Sequence, residues 1–280
     1  MTYCVAMRLD AGLVFLADSR TNAGVDQIGT FRKMNVFENP GDRTMVLMTA
    51  GNLSISQSVL QLLHDHVGLN GFTIWTAPNM YEATRIVGEA VRAIHQREAQ
   101  ALAQFNIEFN VSIIFGGQIR GEACRLFQVY SAGNFIEARD ENTYLQIGEA
   151  KYGKPIIDRV VTPRSSLDDA VKCALISMDS TLRSNISVGL PLDLLAYQAD
   201  SLAVTRFVTI DEKNAYFQML RGTWGEQLRR VFEGIDAPQW QAMPGADDQP
   251  VRMPLPEAVA PVAAPPMLQS LAQQHGDPRQ

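Results

Sequence analysis

Two rhythms of apolar and polar positions run along this chain. Over residues 2–9 the period is two. Thr2, Cys4 and Ala6 share one face and Tyr3, Val5 and Met7 the other, which is the pattern of a β-strand. The next run, Leu13-Val14-Phe15-Leu16-Ala17-Asp18, stays apolar until its last residue, as in a strand covered on both sides. Asp10-Ala11-Gly12 separates the two, so residues 2–9 and 12–18 are expected to form a hairpin. A second hairpin is expected from 33–37 and 44–50, across the Asn39-Pro40-Gly41-Asp42 turn.

The rhythm then becomes helical. Ile55, Val59, Leu62, Leu63 and Val67 mark one apolar stripe, with Ser54 as its cap and Gly68 and Asn70-Gly71 at its end. Met80, Ala83, Val87, Val91 and Ile94 mark a second stripe, over about 79–104 behind Pro78. Strands are expected again at 107–115 and 123–130, joined through Gly116-Gly117 and Gly121, with a shorter strand pair inside 134–147. Leu167, Val171, Ala174, Met178 and Leu182 place a third helix over about 166–183, where Ser166 and Asp169 resemble a capping box. Strands at 192–197 and 203–210 follow Pro191. A last helix over about 213–232 carries Tyr216, Leu220, Trp224, Leu228 and Val231. This order of strands and helices fits an α+β fold, a four-layer α-β-β-α sandwich of two antiparallel sheets in one domain over residues 1–235. From 236 the composition shifts. Nine of the 14 prolines fall in 236–280 beside Ala and Gln, so a disordered tail is expected there. Met267-Leu268-Gln269-Ser270-Leu271 could dock on a partner, but a solvated tail is the preferred reading.

Composition narrows the function. The net charge of −6 argues against a nucleic-acid or anionic-membrane partner. No apolar run approaches the roughly 18 residues of a membrane span, and no secretory signal opens the chain. Cys4, Cys124 and Cys173 are odd in number and lack metal spacing, so they read as reduced thiols of a cytoplasmic protein.

The candidate chemistry lies in the first 51 residues. An initiator Met precedes Thr2, which puts a hydroxyl nucleophile at a potential chain terminus; its own α-amine can then be the base. Such an amine titrates near ~7.7–8.0, close to working pH. Asp18 ends the second strand, Lys33 opens the third, and Gly51 precedes the first helix. A lysine ammonium beside Thr2 would lower the amine's pKa, and Asp18 would hold that lysine charged. The Gly51 N–H is placed to bind a developing oxyanion, helped by the helix N-terminus.

Thr2, Asp18 in Ala-Asp-Ser-Arg, Lys33 in Phe-Arg-Lys-Met and Gly51 in Met-Thr-Ala-Gly resemble the N-terminal-nucleophile hydrolase pattern of proteasome β subunits, over residues 2–234. Thr2 and Asp18 stand sixteen positions apart, as in that family. Asp18 and Lys33 stand fifteen apart, one fewer than is usual. The opening 26 residues are most similar to the bacterial branch called Anbu, for ancestral beta subunit. The resemblance implies a threonine-type amidohydrolase or peptidase working through an acyl-enzyme after Met1 removal, on a peptide or amide substrate. It implies a homo-oligomer of open or helical rings and no metal or organic cofactor, and it leaves an ATPase partner open. By the same alignment Thr21, Phe31, Asn35, Thr49 and Gln57 line the pocket for the residue before the scissile bond.

The chain also departs from the family. Where proteasome subunits carry Gly-Ser-Gly and Arg-Asp-x-x-Ser-Gly, it has Gly148-Glu149-Ala150 and Arg183-Ser184-Asn185-Ile186-Ser187-Val188. Ser187 keeps its place, Ser184 replaces the Asp, and Glu149 replaces the Ser and is a candidate for the missing carboxylate. Two alternatives stand beside the peptidase reading: a non-proteolytic amide or γ-glutamyl hydrolase or transferase on the same nucleophile, since this fold hosts many amide chemistries, and a catalytically idle ring-forming scaffold subunit, which the Ser184 and Glu149 departures support.

Plainer readings apply elsewhere. Asp18 and Lys33 could be only a structural ion pair, and Arg20 is read as bracing the Asp18 loop. Cys4 is read as a buried small hydrophobe rather than a nucleophile. The stretch from Gly148 to Pro155 nearly spells a phosphate-binding loop, but Pro155 stands where Ser or Thr is needed, and Pro-Ile-Ile-Asp-Arg-Val-Val does not read as a following helix. His64 and His66, two apart on a helix, do not face one another.

Overall fold

The computed structural model describes residues 2–22, 28–65, 71–240 and 250. Three apolar clusters define its layers. The innermost lies between two five-stranded sheets and contains Cys4, Ala6, Phe15, Ala17, Met48 and Leu126. A second packs the first sheet against helices through Tyr3, Val5, Met7, Leu175, Met178 and Phe217. A third packs the second sheet against helices through Met45, Leu47, Ile55, Val59, Val87 and Phe115. Three apolar interlayers make four layers, so the chain is an α-β-β-α sandwich. The alternation expected in the first strand is the observed one: Cys4 and Ala6 face the other sheet, while Tyr3, Val5 and Met7 face helices.

In chain order, β1 is Tyr3–Leu9 and β2 is Gly12–Asp18. A small ribbon follows, β3 Arg20–Asn22 with β4 Ile28–Thr30. Then come β5 Met34–Asn39, β6 Arg43–Gly51, α1 Leu53–His64 and α2 Met80–Gln104. The next four strands are β7 Val111–Ile119, β8 Arg125–Val129, β9 Phe135–Glu137 and β10 Tyr144–Gly148. The chain continues with α3 Lys154–Val160, α4 Leu167–Ser184, β11 Leu192–Gln198, β12 Arg206–Ile210 and α5 Ala215–Glu233. The first sheet has the order β10-β1-β2-β11-β12 and the second β5-β6-β7-β8-β9, with antiparallel neighbours throughout. β2 is central in its sheet and every residue of it is buried, which explains its uninterrupted apolar run.

Several expectations are corrected. Gly116 and Gly117 lie inside β7 rather than at its turn. A Cβ on Gly116 would stand 2.7 Å from Leu126 Cδ1 and 3.2 Å from Phe15 Cζ, so the missing side chain makes room for Phe15 between the sheets. The expected strand pair in 134–147 does not pair with itself. β9 joins β8 in one sheet and β10 joins β1 in the other, so the chain crosses between sheets there. The ribbon β3–β4 was not anticipated, nor was α3, whose Pro155 is tolerated in the first helical turn because that N–H has no intrahelical partner. The helix-based objection to a phosphate loop therefore fails; the absence of Ser or Thr at position 155 stands. Asn52, not Ser54, caps α1, its carboxamide accepting from Ser54 N at 3.0 Å. On α5 the buried residues are Phe217 and Leu220, whereas Tyr216, Leu228 and Val231 are exposed.

Contacts divide the chain into a body, residues 1–230, and a second unit from 231 onward. Of the expected tail at 236–280, only 236–240 and 250 are described, and all are exposed; the rest, including Met267–Leu271, lies outside the described residues. Val67, Gly68 and Asn70 lie outside them too. Among the described residues no helix is long and apolar enough to cross a membrane.

Candidate active site

The site is built at the end of the sandwich where β1 begins and β2 ends. Tyr3 pairs with Gly148, and Asp18 pairs with Leu192, so Thr2 stands beside the ends of three strands. Thr2 is itself buried, and its carbonyl accepts from Glu149 N at 2.7 Å. Gly148 makes that bond possible. Its φ is +81°, a left-handed conformation, and a Cβ there would collide with the Thr2 carbonyl. Gly148→Ala is expected to displace Thr2 and to destabilise the fold by about 1–3 kcal/mol, measured by urea unfolding. An unchanged midpoint would mean that the strand end yields freely.

Asp18 is the hub. One carboxylate oxygen accepts Tyr3 N at 3.0 Å and Lys33 Nζ at 2.6 Å; the other accepts Gly189 N at 3.3 Å. The ammonium and the peptide nitrogen next to Thr2 therefore share a single acceptor oxygen. Lys33 Nζ also donates to the Arg20 carbonyl at 2.8 Å. Both side chains are almost wholly buried, 6% exposed for Lys33 and 0% for Asp18. Burial holds the Asp18 carboxyl above the ordinary carboxylate range, and Lys33 and the two N–H groups work against that rise.

Surrounding segments fix this pair. The carbonyl of Lys33 accepts from Thr49 N at 3.1 Å, which joins the start of β5 to the end of β6. Phe31 N donates to the Ser19 carbonyl at 2.8 Å. Ser19 Oγ donates to the Pro191 carbonyl at 2.6 Å, and the Arg20 guanidinium donates to the Ile186 carbonyl at 2.8 Å. Arg20 thus braces the loop between α4 and β11, the loop that brings Gly189 N to Asp18.

The anticipated residues are not all in one place. Thr2, Asp18, Lys33, Thr49 and the Glu149 backbone converge. Gly51 is the exposed last residue of β6, with φ +107°, one residue before the Asn52 cap. Ser187 is half-buried and its N–H donates to Asn185 Oδ1 at 2.9 Å. Ser184 is exposed at the last position of α4, and the Glu149 carboxylate lies 3.8 Å from Lys151 Nζ. Thr21, inside β3, and Phe31, just after β4, are both half-buried. Asn35 and Gln57 line a separate cleft between β5 and α1. Two further residues hold the site together: Gly189, through its N–H, and buried Asn185, whose carbonyl and side chain shape the turn after α4. Their only signal in the sequence is a helix-ending Asn and a loop Gly. Among the described residues no group of three or more His, Cys, Asp or Glu could hold a metal; His66 lies outside them.

Cys4 is fully buried next to this pair, its Sγ donating to the Thr49 carbonyl at 3.9 Å. Burial pushes its thiol far up, and pushes Cys124 up to about 12 and Cys173 up to about 11. At pH 8 a thiol-specific disulfide reagent is expected to leave all three unmodified in the folded chain and to modify three after unfolding. Rapid modification of Cys4 in the folded chain would contradict this burial.

Comparison with known proteins adds to this geometry. The family described as Proteasome, proteasome subunit, matches residues 2–190. No curated protein sequence matches the chain. Among solved structures, the ancestral beta-subunit Anbu from Yersinia bercovieri is 49% identical with a TM-score of 0.80, covering 85% of this chain and 99% of that one. An Anbu (Gly-1) mutant from Hyphomicrobium sp. strain MC1 is 48% identical with a TM-score of 0.80 and the same coverage. A helical assembly of the Anbu complex from Pseudomonas aeruginosa is 47% identical with a TM-score of 0.80, covering 85% of this chain and 98% of that one.

Proposed function

Because this chain belongs to the proteasome family, and within it to the Anbu branch, we propose that it is a threonine-type N-terminal-nucleophile amidohydrolase acting on peptide bonds. The observation that carries the reading is the shared Asp18 oxygen, which sets the Lys33 ammonium against the peptide nitrogen beside Thr2. An ammonium has three donors. Two are spent on Asp18 and Arg20, and in this reading the third serves the Thr2 end. Once Met1 is removed, a positive charge beside the Thr2 end would favour the neutral amine and the Thr2 alkoxide.

In this mechanism the free amine takes the Thr2 hydroxyl proton, and Oγ attacks the carbonyl carbon. The Gly51 N–H, close to the α1 N-terminus, stabilises the oxyanion, a contribution of roughly 3–4 kcal/mol for one such donor. The amine then passes its proton to the leaving nitrogen. Water, deprotonated by the same amine, hydrolyses the acyl-enzyme. The chain works as a cytoplasmic homo-oligomer; the Pseudomonas aeruginosa relative is a helical assembly. The test is incubation of the purified chain with peptide and γ-glutamyl amide libraries, with products read by mass spectrometry. Cleaved peptides are expected, and turnover of γ-glutamyl amides alone would replace the peptidase reading with that of a γ-glutamyl hydrolase or transferase.

One observation favours a second reading, an idle scaffold subunit. Ser184, where the family has its Asp, is exposed, and Glu149 faces Lys151. Assembly without turnover of either library is what that reading requires.

A further inference from the structure

We propose that the cleft between β5 and α1 selects a carboxamide side chain, so that peptides carrying glutamine are taken in preference; this rests on the peptidase reading for its meaning, though not for its test. The cleft measures about 800 Å³. It begins at Asn35, two residues beyond Lys33, and runs along α1 past Gln57 and Gln61. Val36, Leu60 and Trp75 supply apolar walls for an aliphatic stem.

The polar lining decides the ligand. Three of its side chains are carboxamides, and among the described residues lining it there is no Asp, Glu, Lys or Arg. Its one titratable group, His64, is largely exposed and lies 3.7 Å from the Asp65 carboxylate. Gln61 already donates to the Asp65 carboxylate at 2.7 Å, so Asn35 and Gln57 are the amides left for a ligand; an acidic side chain would enter without a counter-charge, and an aliphatic one would leave the Asn35 amide unpaired. Asn35 makes the case specific. Its Nδ2 is buried with no hydrogen-bond partner, whereas such groups are nearly always paired. A ligand that offers an acceptor to this Nδ2 would complete it. A ligand carboxamide carries both donor and acceptor and serves the Asn35 amide in either orientation. β5 is an edge strand, so its outward backbone groups can pair with an extended substrate.

The test uses the full chain carrying Thr2→Ala, so that binding is read without turnover. Fluorescein-labelled hexapeptide amides, identical except for Gln, Leu, Glu or Lys at one position, are titrated by anisotropy. The Gln peptide is expected to bind about tenfold or more tighter than the other three. Asn35→Leu should erase the difference. Gln57→Leu, at an exposed helical position that cannot disturb the core, should reduce it. Equal binding of the Leu peptide, or a Gln preference that survives both substitutions, would overturn the proposal. So would a chain that binds no peptide because a neighbouring copy covers the cleft. Turnover by the unsubstituted chain is scored separately, so a failed mechanism and a failed specificity give different results.

Discussion

Replacing Thr2 by alanine is expected to lower acyl transfer by at least ~10⁴-fold while the fold stays intact. Removing the attacking group from an acyl-transfer site leaves only the contribution of oxyanion binding and positioning. The structural role of Thr2 is carried by its backbone, through the carbonyl that accepts Glu149 N, and alanine keeps that bond. Unfolding of the two chains should therefore differ by no more than about 0.5–1.5 kcal/mol, the scale of trimming a small buried side chain. Thr2→Ser should retain measurable turnover, because it keeps both hydroxyl and amine. Single-turnover kinetics with an activated peptide ester checks all three, and a Thr2→Ala chain with undiminished rate would place the nucleophile elsewhere.

Lys33→Met is expected to have the second largest effect, on activity and on stability together. The substitution leaves Asp18 buried with two backbone N–H partners and no counter-charge. Breaking one side of a buried pair typically costs about 3–5 kcal/mol. Burial already raises the Asp18 pKa, and Lys33 is the largest influence opposing it, so the carboxyl in the variant should rise further. A carboxyl raised in the folded state stabilises the fold when protonated. The loss should thus be largest at neutral pH and shrink as pH falls through the folded Asp18 pKa. Asp18→Asn with Lys33→Met removes both charges and should regain much of the stability but none of the rate. If rate returns with stability, the pair is only structural.

Much of this arrangement was legible in the sequence because it lies on regular strands. Period-two alternation fixed the faces of β1, and a continuous apolar run marked β2 as central. Thr2 and Asp18, at the ends of those strands, were brought together by pairing that a hairpin makes local, whereas Lys33 meets Asp18 from just before β5 of the other sheet. Less legible were features set by contacts distant in sequence. The chain between β9 and β10 changes sheets, which no local pattern records. Gly116 and Gly117 read as a turn because the reason for a strand glycine, here Phe15 and β6, is more than sixty residues away. On α5, apolar spacing suggested a buried stripe where the body covers only Phe217 and Leu220. Ser184 was aligned with a site residue, but it is the last residue of a helix and exposed. The neighbouring Asn185 is the residue that turns inward, a difference of one position that helical rotation decides.

All of the proposed chemistry requires one residue to supply both hydroxyl and free amine. An epoxyketone peptide joins both groups, so intact-mass measurement of the purified chain after such treatment reads them together. The expected result is a chain lacking Met1 that gains one inhibitor mass, with the added mass mapping to Thr2 and absent from Thr2→Ala. A chain that keeps Met1, or one that has lost it and takes up no inhibitor, would contradict the proposal.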